Sequence, residues 1–341
     1  MANPTVLIVG AGALGILTGY HLQLAGADIT FFVRENRLAA LGAPQILYCY
    51  DDGTLKSFSS YRTATDLGTL AQTRFDYVLV TLDGAACLSE EGTKLLAGIG
   101  DLIRESDAVI IVGGVGVRSH YLATTRLPAH RIVEGTLGCL AYQTDRVIFP
   151  LHPPTDPATL AKSSLAYHHL QGGPGFFLAA APRPAAEAFA ALYTLSKVSR
   201  AKVVSASLFA IISTAFFPMT AICDLAGWPD AATLSANTPL MRLGSGAMRE
   251  IIALPEHGWL GLVSAPVMRN SALAWLLRKM EQAALPIDFS AFNHFHHGGK
   301  VRAQDLQVLR NCLAAGLARG RKMAALGELV ARYEAHCAAP A

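Results

Sequence analysis

"TVLIVGAGALG", Thr5 to Gly15, decides how the first half of this chain folds. An apolar, β-branched run leads straight into glycines spaced G-x-G-x-x-G at Gly10, Gly12 and Gly15. A helical pattern then runs to Gly26, followed by a second β-type run, "DITFFV". Strand, glycine turn, helix and strand in that order make a dinucleotide-binding fingerprint. Gly10 permits the tight turn, Gly12 lets the backbone approach a pyrophosphate, and Gly15 lets helix and sheet pack closely, with Ala11, Ala13 and Leu14 completing the turn at the helix N-terminus.

Working outward, short β-branched runs recur at "YVLVT" (77–81), "AVIIV" (108–112) and "RIVEGTL" (131–137), separated by longer stretches such as "SEEGTKLLAGIGDLI". Continuous apolar strands alternating with helices predict a doubly wound, parallel α/β sheet covered on both faces. Weaker strand signals at "SSLAYHHL" and "GFFLAAA", a helix around "AAEAFAALYTLSK" and the run "KVV" carry this Rossmann-type domain to residue 205. From Ala206 strand signals nearly vanish, and "SLFAIISTAFF", "TPLMRLGSGAMREIIAL", "SALAWLLRKMEQA", "AQDLQVLRNCLAAGLARG" and "MAALGELVARYEAH" predict an all-α domain over 206–341.

Composition narrows the function classes. The 341 residues are 52% apolar and 16% charged with a formal charge of +3, and the basic residues are scattered, which argues against nucleic acid as partner and for a small-molecule substrate. Six cysteines lie far apart with no C-x-x-C pair, so buried thiols in a reducing cytoplasm are expected. The most membrane-like segment, "LFAIISTAFFPMTAI" (208–222), is shorter than the roughly 20 residues of a span and carries Pro218, so it reads as a buried helix. The long apolar helices of the second domain are compatible with a homodimer.

At the end of the second strand, "FFVREN" puts Arg34 where an NAD-binding protein usually offers an acid to the ribose. A guanidinium suits a 2′-phosphate, so NADP is favoured, with Arg37 a second contact and Glu35 on the ribose as the alternative. Glu134, at the end of a strand where open α/β sheets bind ligands, is a cofactor-facing candidate; a rim salt bridge explains it equally well.

The chain resembles the ketopantoate reductase family in "VGAGALG" (9–15), "VR" (33–34), "VTLDG" (80–84), "GGVG" (113–116), "PMTAI" (218–222) and the terminal helices around "ARGRKM". The resemblance implies NADPH-dependent hydride transfer to a carbonyl carbon beside a carboxylate, with substrate bound between the two domains, as in pantothenate biosynthesis. It also implies that Thr81, Leu82, Gly113 and Gly114 line the cofactor. Several positions depart from the family pattern. The family's Lys after the third-motif strand matches Asp83, the Asn of its N-G-x-G loop is missing from Gly113–Gly116, and its catalytic Lys would fall near 209–211, where this chain has none. The Asn of the later motif is Phe217, and the family's late Glu falls near Gln304 or Asp305. Asp83 in place of a cation makes an amine-bearing substrate a reasonable expectation.

Hydride transfer to a carbonyl builds negative charge on oxygen, so a donor must replace the missing lysine. "HFHHGGK" (294–300) lies just before Gln304 and Asp305 and supplies the candidates. His297 or Lys300 would donate the proton, Asp305 would orient the donor, and Asn293, His296 and Ser213 would contact substrate. Asp288 or Ser290 would cap the preceding helical turn and Lys300 would open the next helix. No metal is expected, because two histidines at helix spacing fall short of the usual three protein ligands. His168 and His169, neighbours on a strand, should point to opposite faces. Two other readings stay open: an NADP-binding sensor without catalysis, and an opine-type reductase of amino-acid-derived imines.

Overall fold

The computed structural model describes residues 3–338. The chain divides into two compact units, Met1–Ser205 and Ala206–Ala341.

The first unit opens with β1 (Thr5–Val9), α1 (Ala13–Leu24), β2 (Asp28–Phe32), α2 (Leu38–Leu41), β3 (Gln45–Cys49), β4 (Thr54–Phe58), β5 (Tyr61–Ala64) and β6 (Tyr77–Val80). There follow α3 (Gly84–Leu88), α4 (Glu90–Leu102), β7 (Val109–Val112), α5 (Arg118–Thr125), β8 (Ile132–Leu137) and β9 (Cys139–Gln143). It closes with α6 (Pro157–Leu160), β10 (Leu165–His169), β11 (Phe176–Ala179), α7 (Arg183–Thr194) and β12 (Ala201–Val204). Eight strands form one sheet in the order β12-β11-β8-β7-β6-β1-β2-β5. Its pairs are parallel except β11 with β8, so β11 and β12 run against the rest.

Burial explains the unbroken apolar strands. Val6 and Ile8 of β1 face one core with Phe31, Leu79 and Ile111, while Leu7 and Val9 face another with Val78, Val80, Ile110 and Val112. A strand packed on both faces has no polar face to alternate with. Strand order reverses at β1, between β2 and β6, which sets the crevice at the carboxyl ends of these strands.

The expectation of a single sheet needs correction. Four strands make a second sheet, β4-β3-β10-β9, in which β10 pairs parallel with β3 and antiparallel with β9. Its sequence signal is "QILYCYDDGTLKSF", two β-type runs around Asp51-Asp52-Gly53, with Gly53 at φ +68°. An Asp-Gly turn between such runs is a hairpin signature.

The second unit contains α8 (Ala206–Thr214), α9 (Phe217–Leu225), α10 (Ala231–Ala236), α11 (Thr238–Ile252), α12 (Gly258–Ser264), α13 (Asn270–Ala284), α14 (Phe289–Phe295), α15 (Arg302–Ala318) and α16 (Ala324–Ala338). A π-turn, His296–Lys300, joins α14 to α15. The apolar run read as one helix is broken at Ala215–Phe216, because Pro218 has no N–H to give the Thr214 carbonyl. Ala206–Leu225 is 20 residues long and apolar enough to span a bilayer by length and composition, and half of that window is buried in the unit, as in a core helix.

Glycines on α11 let its neighbours close in. A Cβ on Gly244 would stand 2.6 Å from Ile222, and one on Gly246 2.9 Å from Ala325. Glu250, on the same helix, accepts from the Ala325 and Leu326 amides at 3.1 and 2.8 Å, capping the otherwise unpaired start of α16.

Candidate active site

The glycine turn has the geometry a dinucleotide needs. Gly10 sits at φ +101°, a conformation other residues rarely adopt, and a Cβ there would come 2.8 Å from Thr81 Oγ1. A Cβ on Gly15 would lie 2.2 Å from the Gly10 carbonyl oxygen, so only glycine allows α1 to start this close to β1. Nothing lies within 4 Å of a Cβ built on Gly12, whose side of the turn is open. Gly12 caps α1 without a side-chain bond, leaving the first-turn amides available to an anion.

Thr81 fixes this turn from the end of β6, donating to the Val9 and Gly10 carbonyls at 2.9 and 3.3 Å. Leu82 lies 3.6 Å from the Gly10 Cβ position, and Leu14 lies 3.6 Å from that of Gly113. A Cβ on Gly113 would also press to 2.7 Å from the Val80 carbonyl oxygen, and one on Gly114 would meet Val117 at 3.2 Å. The residues expected to line the cofactor therefore gather at the carboxyl ends of β1, β6 and β7.

Arg34 is exposed just past β2. Arg37 reaches back, its Nη2 donating to the Ala11 carbonyl at 3.2 Å, which brings a guanidinium to the glycine turn itself. Glu134 is half-buried on β8 beside Val112; burial pushes its carboxyl up, partly offset by Arg118 at 3.9 Å. Asp83, expected to contact substrate, is engaged at the start of α3. Its carboxylate accepts from the Ala86 amide at 2.8 Å and caps α3, a local bond that by itself accounts for an acid at this position.

In the second unit the structure joins His297 to Asp305. His297 Nδ1 lies 2.7 Å from Asp305 Oδ2, and Asp305 is fully buried in the first turn of α15. Phe216, Phe217 and His296 surround the imidazole, with ring centroids 5.3, 6.3 and 4.8 Å away. Phe217, which stands where the family has Asn, thus walls the histidine with hydrocarbon. Burial lowers His297 to about 4, and burial together with the nearby Asp224 charge raises Asp305 to about 8.

These shifts leave the pair holding one titratable proton across the neutral range. Whether it resides on Asp305 or on the imidazole, Nδ1 is engaged by the carboxyl, so Nε2 carries an N–H directed away from it. Asp224, 3% exposed, accepts from Arg302 Nη2 at 2.9 Å, Trp228 Nε1 at 3.0 Å and Tyr333 Oη at 3.0 Å. Sequence reasoning missed this supporting carboxylate, whose partners lie up to 109 residues away. Gly298 is what lets the π-turn lie against Trp228, since a Cβ there would be 2.6 Å from Nε1.

Other expected residues are placed differently. Lys300 ends the π-turn, exposed, and does not open α15, which starts at Arg302. Asn293 is 3% exposed and donates to the Phe289 carbonyl at 2.8 Å, so its amide is engaged by its own helix. Ser213 donates to the Phe209 carbonyl in the same local manner. His296 stacks on Phe292 at 5.8 Å, and burial, then the charges of His297 and Lys300, push its imidazole far down. Asp288 caps α14 by accepting from the Ala291 amide at 2.8 Å. Among the described residues no three His, Cys, Asp or Glu side chains are grouped to hold a metal ion. His168 and His169 do not diverge: Asp51, beyond the end of β3, receives both, with Nδ1 atoms 2.6 and 2.5 Å from its two oxygens.

Residues 6–152 match the family model described as ketopantoate reductase PanE/ApbA. The first unit carries a PanE/ApbA domain. Beyond that domain, the fold of the whole chain matches solved structures of low identity. The 2-dehydropantoate 2-reductase of Geobacter metallireducens GS-15 is 20% identical, with 97% of this chain and 99% of that one covered and a TM-score of 0.62. That of Methylococcus capsulatus is 14% identical over 97% and 96%, with a TM-score of 0.64. A D-mandelate dehydrogenase, solved with NADH and anilino(oxo)acetate, is 12% identical over 97% of both chains, with a TM-score of 0.63. No curated protein matches the chain.

Proposed function

We propose that the protein is an NADPH-dependent reductase of the ketopantoate reductase type, acting in the cytoplasm on a 2-oxo acid or related carbonyl compound, with His297 as proton donor. The observation that carries this reading is the buried His297–Asp305 pair, at 2.7 Å, in a chain that lacks the family's lysine. A bound NADPH would supply the hydride to the carbonyl carbon. Gly10, Gly12 and Gly15 would admit its pyrophosphate to the start of α1, and Arg34, with Arg37 behind it, would hold the 2′-phosphate.

His297 Nε2 would donate to the carbonyl oxygen as negative charge develops there, and the proton shared with Asp305 would end on Nδ1, leaving a neutral imidazole beside the Asp305 carboxylate. The balance is one hydride to carbon and one proton to oxygen, giving a 2-hydroxy acid. The hydrocarbon of Phe216 and Phe217 beside His297 lowers the local polarity and so strengthens the polar contacts the donor makes. A pair that stores a proton through the neutral range favours catalysis over a sensor without turnover.

The test is NADPH consumption with a panel of 2-oxo acids that includes ketopantoate, aryl-glyoxylates and branched-chain 2-oxo acids. Turnover of at least one member, lost in His297→Ala with NADPH affinity retained, supports the reading. NADPH binding without turnover of any carbonyl or imine would establish the sensor instead.

A further inference from the structure

His168 and His169, left over from the reductase chemistry, belong to a second constellation within the first unit. His169 Nδ1 lies 2.5 Å from Asp51 Oδ2, and its Nε2 lies 2.9 Å from Ser199 Oγ. Asp51, His169 and Ser199 come from three separate segments: the hairpin turn after β3, the end of β10 and the loop before β12. Their order of contact is carboxylate, imidazole, hydroxyl, the arrangement in which an acid fixes a histidine so that its other nitrogen can take a hydroxyl proton.

We propose that Ser199, His169 and Asp51 form a hydrolytic site, separate from the dinucleotide turn, in which Ser199 attacks small carboxylic esters. Asp51 is anchored for this part from three directions. The His169 amide donates to Oδ1 at 3.1 Å, His168 Nδ1 lies 2.6 Å from the same oxygen, and His169 holds the other. Burial alone would raise the Asp51 carboxyl, but the bonds from His168 and His169 outweigh it and keep it ionised well below the ordinary range. A carboxylate at Nδ1 places the imidazole proton there and turns a lone pair toward Ser199.

Ser199 is partly exposed, unlike most of its partners. Its hydroxyl occupies space that only glycine at 175 leaves open, since a Cβ there would stand 2.0 Å from Oγ. Tyr193 Oη approaches from below at 3.3 Å and is held by His21 Nδ1 at 2.6 Å, which fixes the floor of the site. Leu195 and Val198, four and one residues before the serine, are 62% and 46% exposed and offer apolar surface to a short acyl chain.

The step balances without any co-reactant but water. Ser199 Oγ bonds to the ester carbonyl carbon as His169 Nε2 takes its proton, the carbon–alkoxide bond breaks, and His169 returns the proton to the leaving alcohol. Water, deprotonated by His169, then releases the carboxylic acid and restores the serine.

The whole protein is treated with a fluorophosphonate and, separately, with p-nitrophenyl acetate, with NADPH binding measured in every variant as the check on folding. The expected result is a label mapped to Ser199, an initial burst of nitrophenol, and loss of both in Ser199→Ala and His169→Gln. Asp51→Asn should lower kcat by at least about tenfold with KM nearly unchanged, the split expected of a positioning residue. No label on the folded wild type, or label and hydrolysis that persist in Ser199→Ala, would overturn the proposal.

Discussion

Replacing Asp305 with Asn removes a proton from the donor pair while keeping the size and shape of the side chain. General acid catalysis contributes on the order of 10²- to 10⁴-fold, and at about 1.36 kcal/mol per decade this is roughly 3–5 kcal/mol of transition-state stabilisation. Asp305→Asn should therefore lower kcat by at least about a hundredfold while KM and NADPH affinity change little. In the wild type, kcat should fall as pH rises through about 8, where the pair gives up its proton, and this limb should vanish in the variant. Stability gives a second readout with a definite sign. Between about 4 and 6.5 the folded pair and the unfolded chain each hold one proton, on Asp305 when folded and on His297 when unfolded, so the two shifts cancel. Between 6.5 and about 8 only the folded pair holds a proton, so stability falls as pH rises across that window. The loss is about 2 kcal/mol, and denaturant unfolding at pH 6.5 and pH 8 should show it shrink in Asp305→Asn. Wild-type kcat in the variant, or an equal loss of cofactor binding, would refute the reasoning.

Further outcomes follow from the same geometry. Arg34→Ala should weaken NADPH binding by roughly 10- to 100-fold, the value of a charge-assisted contact, and leave NADH binding unchanged by fluorescence titration. Gly15→Ala puts a methyl 2.2 Å from the Gly10 oxygen and should abolish binding of either dinucleotide, with thermal unfolding well below the wild type. In Gly298→Ala the new methyl meets Trp228 Nε1 at 2.6 Å, and the displaced indole should cost about 1–3 kcal/mol in denaturant midpoint through its lost bond to Asp224.

The parts of the fold legible in the sequence are those dictated by local pattern. The β1 run and its glycines announce their turn because Gly10 and Gly15 each answer a contact within a few residues or with the adjoining strand, while Gly12 leaves one side of the turn open. Likewise "AQDLQVLRNCLAAGLARG" and its neighbours read as helices from periodicity alone. The second sheet was missed because β4 is largely polar and β10 pairs with β3 across more than a hundred residues, although Asp52-Gly53 marked the hairpin between β3 and β4. The break before Pro218 followed from a missing N–H that was visible in the sequence.

Side-chain convergence was harder to read. Asp305 and His297, eight residues apart, were within reach of reasoning about one turn. Asp224, which shifts Asp305, lies far back in the chain and gives no local signal. His168 and His169 mislead by strand alternation, because Asp51 comes from another strand's turn and lies within 2.6 Å of both Nδ1 atoms. Asn293 and Ser213 show the opposite error: polar side chains in apolar helices bonded to their own backbone.

The most direct test of the central claim is NADPH oxidation by the wild type and by His297→Ala, with the best substrate of the 2-oxo acid panel, across pH 6 to 9. The account predicts that His297→Ala binds NADPH normally and turns over at least about a hundredfold more slowly, without the wild-type decline above about 8. Turnover by His297→Ala at the wild-type rate, with the same pH profile, would contradict it.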